Sequence, residues 1–238
     1  MYQAKEKGIK LGRIQVVDAT ESVAEVDVQR DKGRREEGGE PRDKDASWGS
    51  KGKRKVKTAD GKVVEVNQMF YGYKSHVSLN AESGIITSVI ATTGRVTDGK
   101  QFSQLVEKDE QVGVGAEVYA GDKGYDDGEN HELLWSKGKK SALILNRYRT
   151  EKKDRNKERW LRWKGSEDYQ AGKRERYKVE QKFGEGKRYH GWGRCRYLGL
   201  EKYSVQSFLT AMVLNLKRMV RLLSGSELSW ERVGLSRA

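Results

Sequence analysis

The short apolar runs of this chain end on carboxylates, and that pattern narrows the fold more than any other feature. Ile14-Gln15-Val16-Val17 runs into Asp18, and Val118-Tyr119-Ala120 runs through Gly121 into Asp122. Runs of this length, rich in Val, read as buried strands. Between them, residues 70–79 and 85–92 form a hairpin pattern around Asn80-Ala81-Glu82-Ser83-Gly84, whose closing Gly suits the turn. Phe102, Leu105 and Val106 then recur at helical spacing, with Asp98 placed to cap the helix. A helix is expected over 126–137, a strand over 142–145, and helical character over 173–183. Residues 205–223 make the most apolar helix, with Phe208, Met212, Leu216, Met219 and Leu223 on one side, read as core. Strand, hairpin, helix, strand, helix, strand and then helices is an α/β order with mixed strand directions. At 238 residues it fills one domain, 1–238.

Residues 31–62 break the pattern. Their apolar members are Ala46, Trp48, Val56 and Ala59, among charged residues, glycines and Pro41. So little apolar area does not offset the entropy of ordering a backbone, so the segment reads as a flexible insertion after the first strand. Charge is segregated too. Residues 1–146 carry equal numbers of basic and acidic side chains, so the whole net charge of +13 lies in 147–238. A polyanion that tracks such a surface is nucleic acid or an anionic membrane. No apolar run approaches the ~20 residues of a spanning helix, which leaves DNA or RNA, met through a basic segment at 147–202 that includes Trp160 and Trp163. Met1 to Lys10 lacks a secretory pattern, and a single cysteine, Cys195, suits the reducing cytoplasm.

Several chemistries are missing. There is no Gly-rich phosphate loop, no Cys-x-x-Cys, no nucleophile elbow, and no metal-spaced pair among His76, His131 and His190. The polar groups left at strand ends are Asp18 and Asp122, oxygen donors suited to Mg²⁺ or Mn²⁺. On the helix at 173–183 and beyond, Arg176, Glu180 and Lys187 are four and seven residues apart and share one stripe with Lys173. A carboxylate flanked by cations suits a site that holds metal and touches phosphate. It suits equally a solvated i,i+4 pair between Arg176 and Glu180, worth only ~0.3–0.5 kcal/mol. Gly184 and Gly186 each weaken that helix by ~1 kcal/mol.

Eight segments in register go further: Val-Val-Asp18-Ala-Thr, Trp48-Gly-Ser-Lys-Gly-Lys, Gly72-Tyr-Lys-Ser-His76, Ser83-Gly-Ile-Ile-Thr, Tyr119-Ala-Gly-Asp122-Lys-Gly-Tyr125, Val179-Glu180-Gln-Lys-Phe-Gly184, Arg196-Tyr-Leu-Gly-Leu200 and Asn215-Leu-Lys-Arg218. Together they resemble the bacterial insertion-sequence transposases of the DDE class, in the group with a Tyr-Arg-Glu-Lys signature. Arg176, Glu180 and Lys187 fit that signature, whereas Lys173 stands where it has Tyr and Tyr177 is displaced past the Arg.

The resemblance implies a ribonuclease-H-like mixed sheet flanked by helices, with Asp18, Asp122 and Glu180 as catalytic residues and ligands of two Mg²⁺ or Mn²⁺ ions. It implies double-stranded DNA as partner, cleaved at element ends and joined to a target, with two copies assembling on DNA in a bacterial cytoplasm. Arg176, Lys187, Lys173, Arg188 and Trp48 are the candidate DNA contacts. Trp48 suits stacking on DNA or anchoring its own loop, and His76 reads as structural. Family members carry helical DNA-recognition elements before the first catalytic Asp, where this chain has 17 residues, so weak sequence preference is expected. An inactive remnant that only binds DNA, and a stand-alone ribonuclease-H-like nuclease, are the alternatives.

Overall fold

The computed structural model describes residues 2–146 and 163–225. Its frame is a six-stranded mixed sheet. Strand β1 (Ile14–Val23) runs antiparallel to the second half of β3 (Val63–Asn80), pairing Asp18 with Val77. On its other side β1 lies parallel to β5 (Val118–Gly121), pairing Ile14 with Val118, and β6 (Lys140–Leu143) continues parallel to β5. Strand β4 (Ile86–Thr93) closes the far side against β3. This is a ribonuclease-H-like sheet. The expected hairpin at 70–92 forms, and so does the strand that ends just before Asp122. The first strand does not end at Asp18 as expected: β1 continues to Val23, because Ala19 to Val23 stay paired with His76 to Gly72 of β3.

Alternation along the strands sorts the core onto two faces. Val17, Tyr119 and Leu143 pack with Phe102, Leu105 and Val106 of α3 (Phe102–Gln111) and Leu134 of α4 (Gly128–Ser136). Val16, Val118, Ala120 and Ala142 pack on the opposite face. Their partners there are Tyr169 of α5 (Glu167–Glu175), Val179 and Phe183 of α6 (Tyr177–His190), and Ala211 and Leu214 of α7 (Leu200–Ser224). Asp18 has the parity of Val16, and Asp122 that of Ala120. Both aspartates therefore continue rows that face α5–α7. Near the N-terminus lie α1 (Tyr2–Glu6) and, after β1, α2 (Val28–Glu36).

The charged insertion carries regular structure: it holds most of α2 and, in β2 (Ser47–Lys57), a strand paired to the first half of β3. Buried polar groups take the place of apolar area. Asp43 accepts hydrogen bonds from the Tyr73 hydroxyl at 2.6 and 2.7 Å and from the Ala46 amide, and Asp31 accepts from the Arg42 amide. Gly72 marks where β3 leaves β1 for β2, and a Cβ there would stand 2.2 Å from the Ser22 carbonyl oxygen. Of the basic segment at 147–202, residues 147–162 lie outside the described residues.

The helix at 205–223 corrects the sequence reading. It spans Leu200–Ser224, but Phe208 is 63% exposed, Leu216 45% and Leu223 51%. The buried side is Tyr203, Ser207, Thr210, Ala211 and Leu214, smaller and more polar on average than the stripe expected inside. Polar bonding explains the choice. The Ser75 hydroxyl joins Tyr203 Oη at 2.6 Å and Ser207 Oγ at 2.7 Å, and accepts from Trp192 Nε1. Further along, the Asn215 amide accepts from the Ile86 N–H and donates to its carbonyl, covering the exposed edge of β4. Among the described residues no helix is long and apolar enough to cross a membrane.

The Asp109 carboxylate is wholly internal. Asp109 on α3 accepts from Ser78 and Ser88 hydroxyls at 2.6 Å each, and from Gln15 Nε2 and the Tyr119 hydroxyl at 3.2 Å each. Replacing it with Ala strands four buried donors. The substitution is expected to lower unfolding stability by about 3 kcal/mol, since each unmet buried group costs about 1–3 kcal/mol before relaxation. A loss below about 1 kcal/mol in urea titration would show that these donors re-pair among themselves.

Candidate active site

Asp18 sits mid-strand on β1 and Asp122 just past the end of β5, the parallel neighbour of β1. The Asp122 Oδ1 accepts the Gly124 amide at 2.7 Å, which caps a 3₁₀ turn at Lys123–Tyr125. Asp18 Oδ1 accepts the amide of Ala19 at 2.8 Å. Burial is the largest influence on the Asp18 carboxyl and lifts it to about 7, against the opposing pull of that amide. The negative charges of Asp122 and Asp98 push it the same way, and Arg176 pulls it back. One electrostatic neighbourhood therefore holds Asp18, Asp122, Asp98 and Arg176.

Glu180 lies on the helix that faces the strands. It lies in the first turn of α6, exposed, beside the buried Val179 that seats the helix on the sheet. Arg176 forms the junction between α5 and α6 in helical conformation, φ −55° and ψ −36°, so its stripe continues into α6. The helix runs through both Gly184 and Gly186 to His190, and Gly186 leaves room for Trp192, whose ring would meet a Cβ at 2.4 Å. At the far end of the stripe Lys187 bonds Glu21 of β1 at 2.7 Å. The stripe thus meets β1 at Glu21 through Lys187, and the charge of Arg176 acts on Asp18; Glu180 lies between Arg176 and Lys187 along the helix. Among the described residues no three ligand groups already stand together as a metal cluster. The two aspartates are brought together, while Glu180 is on the facing helix, its carboxylate unpaired among the described residues.

The other candidates are dispersed. Lys187 shares Glu21 with Lys51, which bonds it at 2.6 Å. Burial raises the Glu21 carboxyl, but the two ammonium groups outweigh it and hold the pKa low. Lys173 on α5 and Arg188 on α6 are exposed, and the Arg188 guanidinium lies over the Tyr189 ring at 5.4 Å. Trp48 on β2 is 51% exposed, with its ring 5.5 Å from that of Tyr71. Tyr177, displaced from the signature position, opens α6 and is exposed.

Asp98 is the residue whose sequence reading fails. Thr97 occupies the cap position of the turn Asp98–Gln101, and the Asp98 carboxylate instead takes the Lys74 ammonium at 2.9 Å. The order Thr-Asp-Gly before a helical pattern reads as a cap by local rules, and nothing local signals a lysine on a distant strand. His76 is structural as expected: wholly buried, its Nε2 bonds Thr92 Oγ1 at 2.8 Å. Burial and then Lys74 hold its pKa down at about 3, so the ring is neutral. A cleft of about 1240 Å³ opens beside this corner, with Lys74, Asp98 and Gly124 in its lining and Trp48, Arg95 and Lys100 along its walls.

Residues 11–216 match the family described as the transposase DDE domain. The chain is also 31% identical to the transposase for insertion sequence element IS1106 from Neisseria meningitidis serogroup B, in an alignment covering 93% of this chain and 71% of that protein.

Proposed function

The chain belongs to the DDE transposases and is a DNA transposase catalytic domain, and from that premise we propose that Asp18, Asp122 and Glu180 are its catalytic carboxylates. The observation that carries this reading is the placement of Asp18 on β1 and Asp122 just past the end of its parallel neighbour β5, in one charge neighbourhood with Arg176, on the sheet face packed by the helix that bears Glu180. DDE transposases use divalent metal ions. The donor set fits a hard cation: its ligands are carboxylate oxygens, and burial with mutual repulsion lifts Asp18 in a way a bound cation reverses. Two Mg²⁺ or Mn²⁺ ions held by Asp18, Asp122 and Glu180 would polarise the scissile phosphate and favour the attacking oxygen.

The protein supplies the rest. Backbone amides of Ala19 and Gly124 fix one oxygen of each aspartate, leaving the other to a ligand. Arg176 offsets their charge and would hold a phosphate by parallel hydrogen bonds. Glu180 has three side-chain torsions and, among the described residues, no ion pair to break before turning to the aspartates. The bond between Lys187 and Glu21 seats α6 against β1, so its first role is to position Glu180. Lys173, Arg188 and Trp48 contact DNA outside the site, and two copies meet on the element ends.

A plasmid carrying the ends of the element tests this. It should be nicked by the chain in Mg²⁺ or Mn²⁺ and left intact in excess EDTA. Equal nicking in EDTA would remove metal from the reaction, and binding without nicking would leave a DNA-binding remnant.

A further inference from the structure

We propose that Asp98 is a fourth carboxylate of the cation site, placed beside Asp122 and reached by substrate through the cleft that runs past Trp48. The inference rests on the assignment of Asp18 and Asp122 to that site. Its starting point is Gly124. A Cβ built there would lie 2.9 Å from Asp122 Oδ1 and 3.9 Å from Asp98 Oδ2, so the two carboxylates flank one patch of bare backbone. The oxygens of Asp98 are differentiated. Oδ1 takes the Lys74 ammonium at 2.9 Å, and Oδ2 is the one turned towards Gly124. The side chain is 30% exposed and lines the cleft together with Lys74 and Gly124.

Two buried polar atoms point to the same corner. The Tyr125 side chain is wholly buried and its hydroxyl has no hydrogen-bond partner among the described residues. Its charged neighbours are Asp18, Asp98 and Asp122, with Arg176 as the opposing charge. His76 Nδ1, also wholly buried and without a hydrogen bond among the described residues, stands 3.9 Å from Asp98 Oδ1. A buried hydroxyl left unmatched costs about 1–3 kcal/mol, and such groups survive where a ligand or its charge completes them. Other buried atoms without a partner among the described residues, such as Gln15 Oε1 beside Asp109, lie elsewhere, while His76 Nδ1 and the Tyr125 hydroxyl border the carboxylate corner.

The chemistry is consistent with one site. Asp98 is an oxygen donor like Asp18 and Asp122, and hard divalent cations take several such oxygens. Lys74 neutralises the oxygen of Asp98 that faces away from Gly124. That limits the repulsion a further carboxylate adds, as Arg176 does for Asp18. Asp98 is also the member of the group that lines the large cleft, so it would meet a phosphate arriving from the Trp48 side first.

The test is Mn²⁺ binding by the full chain without DNA, followed by electron paramagnetic resonance of the free ion, with folding checked by circular dichroism. Asp98→Asn should weaken binding by about tenfold, the scale at which residues around a metal act. Lys74→Gln should bind at least as tightly as wild type, because it removes a nearby cation. Asp98→Ser, titrated alongside, keeps the test standing if the Asn variant misfolds. Wild-type Mn²⁺ binding by Asp98→Asn, with Asp122→Asn weakened, would overturn the proposal and leave the underlying site intact. So would equal weakening by Lys74→Gln, which would make Asp98 only an anchor for the lysine. Unchanged titration in both Asp98→Asn and Asp122→Asn would overturn the site assignment itself.

Discussion

Asp18→Asn, Asp122→Asn and Glu180→Gln should each reduce DNA cleavage by at least about 10³-fold, some 4 kcal/mol of transition-state stabilisation, while leaving DNA affinity within about twofold. The carboxylates act as a unit on a shared charge, so losing one is not compensated by the other two. The amides keep the size and the hydrogen bonds that the structure uses: an Asn oxygen at 18 still accepts the Ala19 amide, and one at 122 still accepts that of Gly124. Stability separates chemistry from misfolding. A carboxyl whose folded pKa is lifted to about 7 by burial makes the metal-free protein less stable as pH rises from about 4 towards 7. Asp18→Asn removes that slope and should hold or raise the melting temperature at pH 7 without metal. A drop of several degrees together with lost activity would assign Asp18 to structure.

The second large effect is on binding. With about six phosphates neutralised, the slope of log affinity against log salt should be near −5, a loss of roughly 10³ between 50 and 200 mM. The charge asymmetry motivates this, because the entire net +13 lies in 147–238. Lys173 and Arg188 are exposed on α5 and α6, so Lys173→Gln and Arg188→Gln should each flatten the slope by about one without unfolding the chain. A salt-independent affinity, or unchanged slopes in both variants, would place the contacts elsewhere.

Much of the frame was legible because the sheet is written in short apolar alternations. Val16 and Val17 sort to opposite faces, and the parity they set carries Asp18 towards α6. The hairpin from β3 to β4 was visible within a residue or two for the same reason. The arm made by β2 and the first half of β3 was not. Val63, Val64 and Val66 are exposed there, and the pairing rests on backbone hydrogen bonds and on buried Asp43, which hydropathy does not register. The face of α7 was misread because two stripes compete, and the one with larger apolar residues lost to the one that bonds Ser75. In the site, Asp122 was visible as a strand-end carboxylate and Asp18 as the first polar break in an apolar run, although its strand continues to Val23 through pairing with β3. Glu180 needed the family signature, since spacing alone also fits a surface ion pair. Asp98 was hidden by its own local pattern. Its partner Lys74 is 24 positions away, and only the sheet brings them together.

The most direct test of the account supplies the chain with a pre-cleaved element end bearing a free 3′-hydroxyl, together with target plasmid and Mn²⁺. The account predicts covalently joined products that carry the end in the target, absent with Asp122→Asn and absent in EDTA. Hydrolysis of the target with no joining would instead make the chain a nuclease, and joining that survives Asp122→Asn would contradict the assignment of the site.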